Sequence, residues 1–302
     1  MLNLNALSTE QRNPKTLNID KLSTLELVQV INEEDQAVPK AISQILPQIA
    51  EAIDLIASRL VNGGRLFYIG AGTSGRLGIL DAVECPPTFS TDPEMVQGLI
   101  AGGTPAIFKA QEGAEDREEL GANDLQAKNL CDKDVVVGIA ASGRTPYVIG
   151  GLKYAQSIGI KTIGIACSVN PVLGEFSDIL LVALVGPEVI TGSTRLKAGT
   201  AQKLILNMLS SGAMIKLGKV YGNLMVDVKS SNKKLEERAK RIVMTATGVS
   251  EHEAIAALSE SEGNAKTAIF MLLAGVDADL AHAQLDKAQG NLRKALEGLR
   301  NE

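Results

Sequence analysis

Hydrophobic and polar positions change their spacing along the chain, and the first part has helical spacing. Ser23 is followed three residues later by Glu26, the spacing of a capping box, and apolar residues then recur every three or four positions. We expect one helix from about Ser23 and a second helix that begins at Pro39 and runs to Val61. The polar, Asn-rich residues 1 to about 20 are typical of a poorly packed arm.

From Arg65 onward, short apolar runs alternate with helical stretches, which is typical of a parallel sheet with crossover helices. The pattern therefore predicts an α/β fold. The predicted strands are Leu66 to Ile69, Val96 to Ile100, Val135 to Ala140, Thr162 to Ala166 and Ile179 to Val182. The predicted helices are Leu77 to Val83, Pro146 to Ser157 and Leu196 to Leu217.

The last 60 residues contain a tandem repeat. Gly248-Val249 recurs as Gly275-Val276, 27 positions later, and Gly263-Asn264 recurs as Gly290-Asn291 at the same offset. Each copy has a polar turn, a helix rich in Ala and Leu, a Gly-Asn break and a second helix. We expect a small helical domain that covers a dimer or the mouth of an active site, in preference to a ubiquitin-associated-like, protein-binding role.

The domain organisation that follows has three parts. Residues 1–56 form the arm and the first helices, residues 57–220 the α/β domain, and residues 221–302 the helical domain with the repeat. The net charge of −5 and the lack of a Lys/Arg tract argue against a nucleic-acid partner. Three unpatterned cysteines indicate neither disulfides nor zinc, and no signal region or membrane span is visible, so we expect a cytoplasmic protein.

Three polar loops open helices of the α/β domain and are candidates for holding an anion. The first, Gly70 to Gly75, has G-x-G-x-x-G spacing, but a dinucleotide site would need an acidic residue after the next strand, and Ile100 to Thr104 has none. The second is Ala141 to Pro146, and the third is Thr191 to Thr200. Backbone amides at helix starts, with Ser and Thr hydroxyls, suit a phosphate with a polyol attached, although any one loop alone could be a capped turn.

Carboxylates are the candidate acid/base groups of the α/β domain, because the only histidines, His252 and His282, lie in the repeat. Glu84 and Glu115 stand out in Gly-, Ala- and Pro-rich surroundings beside the loops. We expect Pro86-Pro87 to end the preceding helix and to leave Glu84 in its last turn. The helix dipole would there disfavour ionisation, which suits a general acid, whereas the alternative for both residues is a solvated surface acid.

Five segments together resemble the N-acetylmuramic acid 6-phosphate etherases, and the resemblance covers nearly the whole chain. The segments are Gly70 to Gly78, Asp81 to Pro87, Glu112 to Asp116, Gly138 to Tyr147 and Thr191 to Lys203. The resemblance implies a doubly wound, flavodoxin-like sugar isomerase (SIS) domain that binds a sugar phosphate, followed by a UBA-like helical domain. Ala140 stands where many SIS domains carry the first Ser of S-x-S-G-x-T, so contacts in that loop are transferred only to the later positions. The implied phosphate or substrate contacts are Gly72, Thr73, Ser74, Ser142, Gly143, Thr145, Ser193 and Lys197.

The activity implied by the resemblance is cleavage of the ether between D-lactate and C3 of N-acetylmuramate 6-phosphate, in cell-wall amino-sugar recycling. Elimination across C2 and C3 followed by addition of water needs neither cofactor nor metal. The resemblance makes Glu84 the proton donor to lactate and Glu115 the second acid/base group. Which of the two takes the C2 proton stays open.

Two other functions compete with this interpretation. An aldose–ketose isomerase is disfavoured because the α/β domain has no His and the stretch from Leu196 to Gly218 has no Asp or Glu. A non-enzymatic regulator similar to the glucokinase regulatory protein is disfavoured because that protein is larger, with duplicated SIS domains. We expect a homodimer that binds a small sugar phosphate, with neither nucleic acid nor membrane as partner.

Overall fold

A computed structural model describes residues 10–228 and 233–301, which group into two compact units. The first unit extends to Val83 and resumes over Glu94–Ser210. The second consists of Glu84–Pro93 and the residues from Ser211 onward. The predicted domain boundaries at residues 56 and 220 stay a prediction.

The first helices follow the predicted pattern only in part. Helix α1 spans Thr24–Asp35, and its capping box is confirmed by bonds in both directions between Ser23 and Glu26. The prediction of one helix from Pro39 was wrong, because the chain forms α2 over Ala37–Ser43 and α3 over Leu46–Val61. Pro47 has no amide proton for the Ser43 carbonyl, which favours the break between the two helices.

Most residues in the described part of the arm are exposed, as expected of a poorly packed segment, but Asn13 and Thr16 pack against the rest of the chain, which was not predicted. Residues 14–16 and 19–21 form short 3-10 turns, and Asn13 and Thr16 are buried. The Asn13 amide donates to Glu34 at 2.6 Å and to the Pro187 carbonyl at 3.3 Å. Residues 1–9 lie outside the described residues.

A five-stranded parallel sheet forms the centre of the first unit and confirms the predicted α/β class. The strands are β1 Leu66–Gly70, β2 Val96–Ile100, β3 Val135–Ile139, β4 Lys161–Ala166 and β5 Ile179–Val182. Their order in the sheet is β2-β1-β3-β4-β5, and each neighbouring pair is parallel. Every residue of β1 and β3 is buried, as expected for strands covered on both faces.

The crossover helices were predicted with mixed success. The helices are α4 Gly72–Phe89, α5 Pro105–Phe108, α6 Glu118–Gln126, α7 Pro146–Ser157 and α8 Lys197–Lys216. Helix α7 matches its prediction, and α8 differs from its prediction by one residue at each end. The short helices α5 and α6 were not predicted.

Helix α4 continues through two prolines, which corrects the prediction that Pro86-Pro87 end it. It runs to Phe89, so Glu84 lies more than one turn before the end of the helix. The φ angle of proline is compatible with a helix, and what is lost is the amide proton that each ring replaces. The Ser90 amide still donates to the Pro86 carbonyl at 2.9 Å. Glu84 therefore does not lie in the last turn of α4, and that prediction was wrong.

Where the structure describes it, the second unit contains the end of α4, a short hairpin and five further helices. The hairpin, β6 Val220–Tyr221 with antiparallel β7 Leu224–Met225, was not predicted. The helices are α9 Lys233–Thr247, α10 Glu251–Glu260, α11 Ala265–Ala274, α12 Ala278–Lys287 and α13 Leu292–Asn301.

The tandem repeat is confirmed at the level of helix boundaries. Helices α12 and α13 begin and end 27 residues after α10 and α11, respectively. Asn264 and Asn291 occupy equivalent positions, and the side chain of each accepts a bond from the backbone amide three residues later. Ala254 and Ala281 are equivalent and buried in the same hydrophobic core. The two copies therefore form one core.

Within residues 10–228 and 233–301, no single helix is long and apolar enough to cross a membrane. Helices α11 and α12 reach the required length and composition only as a pair, with a bend of 105° between them.

Candidate functional site

The sheet reverses its winding between β1 and β3, and this switch point is where open α/β sheets bind ligands. The chain leaves β1 for β2 on one side, whereas it leaves β3 for β4 on the other. Gly70, the last residue of β1, pairs with Ile139, the last residue of β3. The loops that follow the two strands therefore start side by side at one edge of the sheet.

The first loop lies against the start of α8. Gly72 and Thr73 begin α4, and Ser74 is buried with its hydroxyl donating to Gln202 Oε1 at 2.9 Å. A Cβ placed on Gly199 of α8 would lie 3.4 Å from the Thr73 methyl carbon. The structure thus brings the first and third loops together.

The second loop is a tight turn with two available hydroxyls. The Ser142 hydroxyl oxygen accepts the Arg144 amide at 3.2 Å, so its own proton remains available. Thr145 is the N-cap residue of α7, but its side chain caps no amide in the described part of the helix. Gly143 has φ +67°, and a Cβ there would overlap the ring of Pro171. The turn therefore requires glycine.

The backbone of Gly143 is already engaged in holding the turn. Its amide donates to the Ala140 carbonyl at 2.9 Å, and its carbonyl accepts the Leu173 amide at 3.0 Å. Gly143 is thus placed to shape the loop, whereas the hydroxyls of Ser142 and Thr145 are placed to donate.

In the third loop, Lys197 points into the protein and pairs with a carboxylate. Its ammonium is buried and donates to Glu34 at 2.7 Å, and the same carboxylate accepts Lys15 at 2.9 Å and Asn13 at 2.6 Å. Burial raises the pKa of Glu34, but these bonds outweigh burial and lower it to about 2. Ser193 lies half-buried four residues earlier. A phosphate contact by Lys197 stays a prediction, and the described contact is with Glu34.

The first amides of α8 are bound by a carboxylate of the protein itself. The fully buried Glu188 accepts the amides of Lys197 and Ala198, each at 2.9 Å. Burial raises the pKa of Glu188, although both amides oppose the shift by stabilising its charged form. A carboxyl group of the protein itself therefore occupies the helix start that we expected to attract a ligand.

Glu115 is exposed and lies beside the second loop. Its backbone carbonyl accepts the Tyr147 amide of α7 at 3.0 Å. The Tyr147 hydroxyl donates to Asp124 of α6 at 2.6 Å, and a Cβ on Gly121 of α6 would overlap the Tyr147 carbonyl. This close packing of α6 on α7 holds the segment of Glu115 at the start of α7, where the second loop ends.

Glu84 is also exposed, and it belongs to the residues of α4 that group with the second unit. One turn earlier, the buried Asp81 accepts Tyr68 and Asn207 at 2.9 Å each and Ser210 at 3.1 Å. Burial raises the pKa of Asp81, while the three donors oppose that shift. Asp81 thereby ties α4 to β1 and α8 and holds the helix that carries Glu84.

Three buried polar residues of this region were not predicted as part of the site, namely Asp81, Gln202 and Glu188. A signal was present for Gln202, because its neighbours one turn away on either side of the same helix face, Ala198 and Ile205, are apolar. Buried polar groups of this kind are retained only with hydrogen-bond partners, so such a position merits attention.

The fold and the loops at its switch point are those of a SIS domain. A SIS domain model matches residues 114–211, and a model of the glucokinase regulatory protein N-terminal SIS domain matches residues 48–156. A solved structure from Bacteroides fragilis, described as a candidate phosphosugar isomerase involved in capsule formation, has a TM-score of 0.52 at 20% identity. It covers 67% of this chain and 95% of its own, which supports the fold alone.

The particular family follows from closer relatives. An N-acetylmuramic acid 6-phosphate etherase from Clostridium beijerinckii is 57% identical over 300 residues, 99% of each chain. One from Aliivibrio fischeri is 58% identical over 98% of each chain. This chain belongs to the N-acetylmuramic acid 6-phosphate etherase family.

Proposed function

We propose that this protein cleaves N-acetylmuramate 6-phosphate into N-acetylglucosamine 6-phosphate and D-lactate, in amino-sugar recycling. The observation that carries the proposal is the 57% to 58% identity, over almost every residue, to proteins named for this etherase activity. The isomerase and regulator alternatives are not favoured by these relatives.

The phosphate end of the substrate is assigned to the loops at the switch point. Ser142 and Thr145 offer hydroxyl donors next to the start of α7, whose positive dipole end attracts an anion. Ser74 offers a third hydroxyl at the start of α4, beside α8. These donors are neutral and recognise the phosphoryl group by geometry more than by net charge.

The reaction begins with the open-chain sugar, whose C1 aldehyde acidifies the proton on C2. A carboxylate takes that proton, the C2–C3 double bond forms, and the C3–O bond to lactate breaks as a carboxylic acid protonates the leaving oxygen. D-lactate departs and an unsaturated aldehyde remains. Water then adds its oxygen to C3 and a proton returns to C2, so all atoms of one water molecule are incorporated.

We assign the proton donation to Glu84 and the second acid/base role to Glu115, by their match to the family's motifs. Support for Glu115 is its exposure beside the second loop, anchored through Tyr147. In this scheme the protein is a carbon–oxygen lyase without metal or cofactor. A homodimer in the cytoplasm is part of the same proposal.

Release of D-lactate from N-acetylmuramate 6-phosphate tests the activity directly. In water labelled with oxygen-18, elimination and addition place one label on C3 of the product, and in heavy water they place deuterium on C2. Glu84→Gln should lower kcat by about 10²- to 10⁴-fold, the usual contribution of a general acid or base. Glu112→Gln, in an exposed acid three residues from Glu115, is the matched control and should change kcat less than about threefold.

Three outcomes would contradict parts of this proposal. If the wild type releases no D-lactate, the proposed activity is refuted. If the product carries no deuterium on C2, the elimination mechanism is refuted. If Glu84→Gln releases D-lactate as fast as the wild type, the role of Glu84 as proton donor is refuted.

A further inference from the structure

Gln202 is a buried amide beside the first loop with only one end bonded. Its side chain belongs to a residue that is 1% exposed, and its Oε1 accepts the Ser74 hydroxyl at 2.9 Å. Within residues 10–228 and 233–301, its Nε2 makes no hydrogen bond. Buried amide groups are rarely left unpaired, so this donor calls for an explanation in the function of the site.

The bonding of Ser74 conflicts with its assignment as a phosphate contact. A serine hydroxyl has one proton, and here that proton is directed to Gln202 Oε1. A phosphoryl group near neutral pH presents mainly acceptor oxygens, so it needs the same proton. Ser74 cannot donate to both groups at once.

Rotation of the Gln202 amide by about 180° resolves the conflict, because it exchanges Oε1 and Nε2 without changing the shape of the side chain. Nε2 then donates to the Ser74 oxygen, and the Ser74 proton is free to point out of the protein. Nε2 gains Ser74 as a partner in the same movement, while Oε1 takes the position that Nε2 leaves.

We propose that Gln202 is a positioning residue that sets the direction of the Ser74 hydroxyl when a phosphoryl group binds. In the bound state Gln202 Nε2 donates to Ser74, and Ser74 donates to a phosphoryl oxygen. The inference rests on the proposed function in one respect, since it takes Ser74 as a phosphate contact.

A second polar contact holds the two side chains opposite each other. Asp81 lies seven residues after Ser74 on α4, and Ser210 lies eight residues after Gln202 on α8. These spacings are two helical turns, so each pair shares a helix face. Ser210 donates to Asp81 at 3.1 Å, which fixes α4 against α8 two turns beyond the contact between Ser74 and Gln202. The Gln202 amide can therefore turn while its position is retained.

The test compares variants by calorimetry with N-acetylglucosamine 6-phosphate and unphosphorylated N-acetylglucosamine, so it does not depend on catalysis. Gln202→Glu replaces the reversible amide by an acceptor that keeps the Ser74 proton. We expect its Kd for the phosphorylated sugar to rise at least about tenfold, with KM rising and kcat nearly unchanged in the etherase assay. Gln202→Met, which removes the competing acceptor, should weaken binding by less than Gln202→Glu.

The double-mutant cycle with Ser74→Ala separates positioning from structural damage and from charge repulsion. In the Ser74→Ala background, Gln202→Glu should change Kd by less than about twofold, because the hydroxyl through which Gln202 acts is absent. A full tenfold effect in that background would overturn the inference, because repulsion or misfolding persists without Ser74. Equal losses for Gln202→Met and Gln202→Glu would also overturn it.

The inference and the proposed function can fail separately. A wild-type protein that binds the phosphorylated sugar but releases no D-lactate defeats the function, while the cycle still tests Gln202. If the wild type releases D-lactate but the effects of Gln202→Glu and Ser74→Ala on Kd are additive, only the inference about Gln202 is refuted. A wild-type protein that binds both sugars equally defeats the inference as well.

Discussion

Replacement of Glu34 by Gln tests how much the buried ion pair beneath the third loop stabilises the protein. The Glu34 side chain is only 8% exposed and accepts bonds from Lys197, Lys15 and Asn13. These bonds lower its pKa from 4.5 to about 2 despite burial. A carboxyl with a depressed folded-state pKa stabilises the fold above its unfolded-state pKa and loses that stabilisation as the pH falls toward the folded-state value.

The size of the effect follows from the shift. A change in pKa from 4.5 to about 2 corresponds to roughly 3 kcal/mol of unfolding free energy at pH 7. The Lys15 side chain is 72% exposed, so solvent screens its interaction with Glu34. We therefore expect ionised Glu34 to contribute about 2 to 3 kcal/mol to the free energy of unfolding at pH 7. Roughly two fifths of that contribution should be lost at pH 3.5, and almost none between pH 7 and pH 6.

Urea unfolding at pH 7 and pH 3.5 measures this contribution as the difference between the wild type and Glu34→Gln. The difference should be about 2 to 3 kcal/mol at pH 7 and should shrink by about 1 kcal/mol at pH 3.5. Glu33→Gln, in an exposed neighbour on α1, is the control and should stay within about 0.5 kcal/mol at both pH values. A difference for Glu34→Gln that is the same at both pH values would refute the linkage between its ionisation and folding.

Two further predictions concern the second loop and the repeat. Gly143→Ala should lower the free energy of unfolding by more than about 2 kcal/mol and raise KM for the phosphosugar at least tenfold. The reason is that the new Cβ would suffer both the strain of a left-handed φ and an overlap with Pro171. The control is Gly159→Ala, at φ +78° with no contacting atom within 4 Å of the added Cβ. It should lower the free energy of unfolding by only about 1 to 2 kcal/mol and leave KM unchanged. Equal effects of the two substitutions on KM would contradict the role of the overlap with Pro171. Ser250→Ala removes the capping box of α10 and should lower stability by about 1 kcal/mol in chemical unfolding, whereas a loss below about 0.3 kcal/mol would show that the cap is dispensable.

The sheet could be predicted from sequence because each strand is a short apolar run bounded by polar or glycine residues. All five strands lie within one residue of their predicted ends, and the repeat predicted four helices of the second unit, α10 to α13, but not α9. Prolines were the main source of error. Pro86 and Pro87 continue α4, since two lost amide bonds did not outweigh the packing of that helix.

Within the site, local pattern located the loops and Glu115 but not the partners of buried polar groups. Lys197 stands in a polar loop, and only the folded chain brings Glu34 to it from 163 positions away. The contact between Ser74 and Gln202 is similarly long-range, with 128 positions between its members. Such pairings depend on tertiary packing, which residue spacing along the chain does not encode.

The alignment of Gly70 with Ile139 has a consequence for how ligand preference could be redesigned. One residue of parallel strand is about 3.3 Å long, so an insertion within β1 would displace one loop against the other by more than the length of a hydrogen bond, about 2.8 Å. Tolerated variation in sugar preference should therefore arise by lengthening or shortening the turns themselves, while the two strands beneath them keep a constant number of residues.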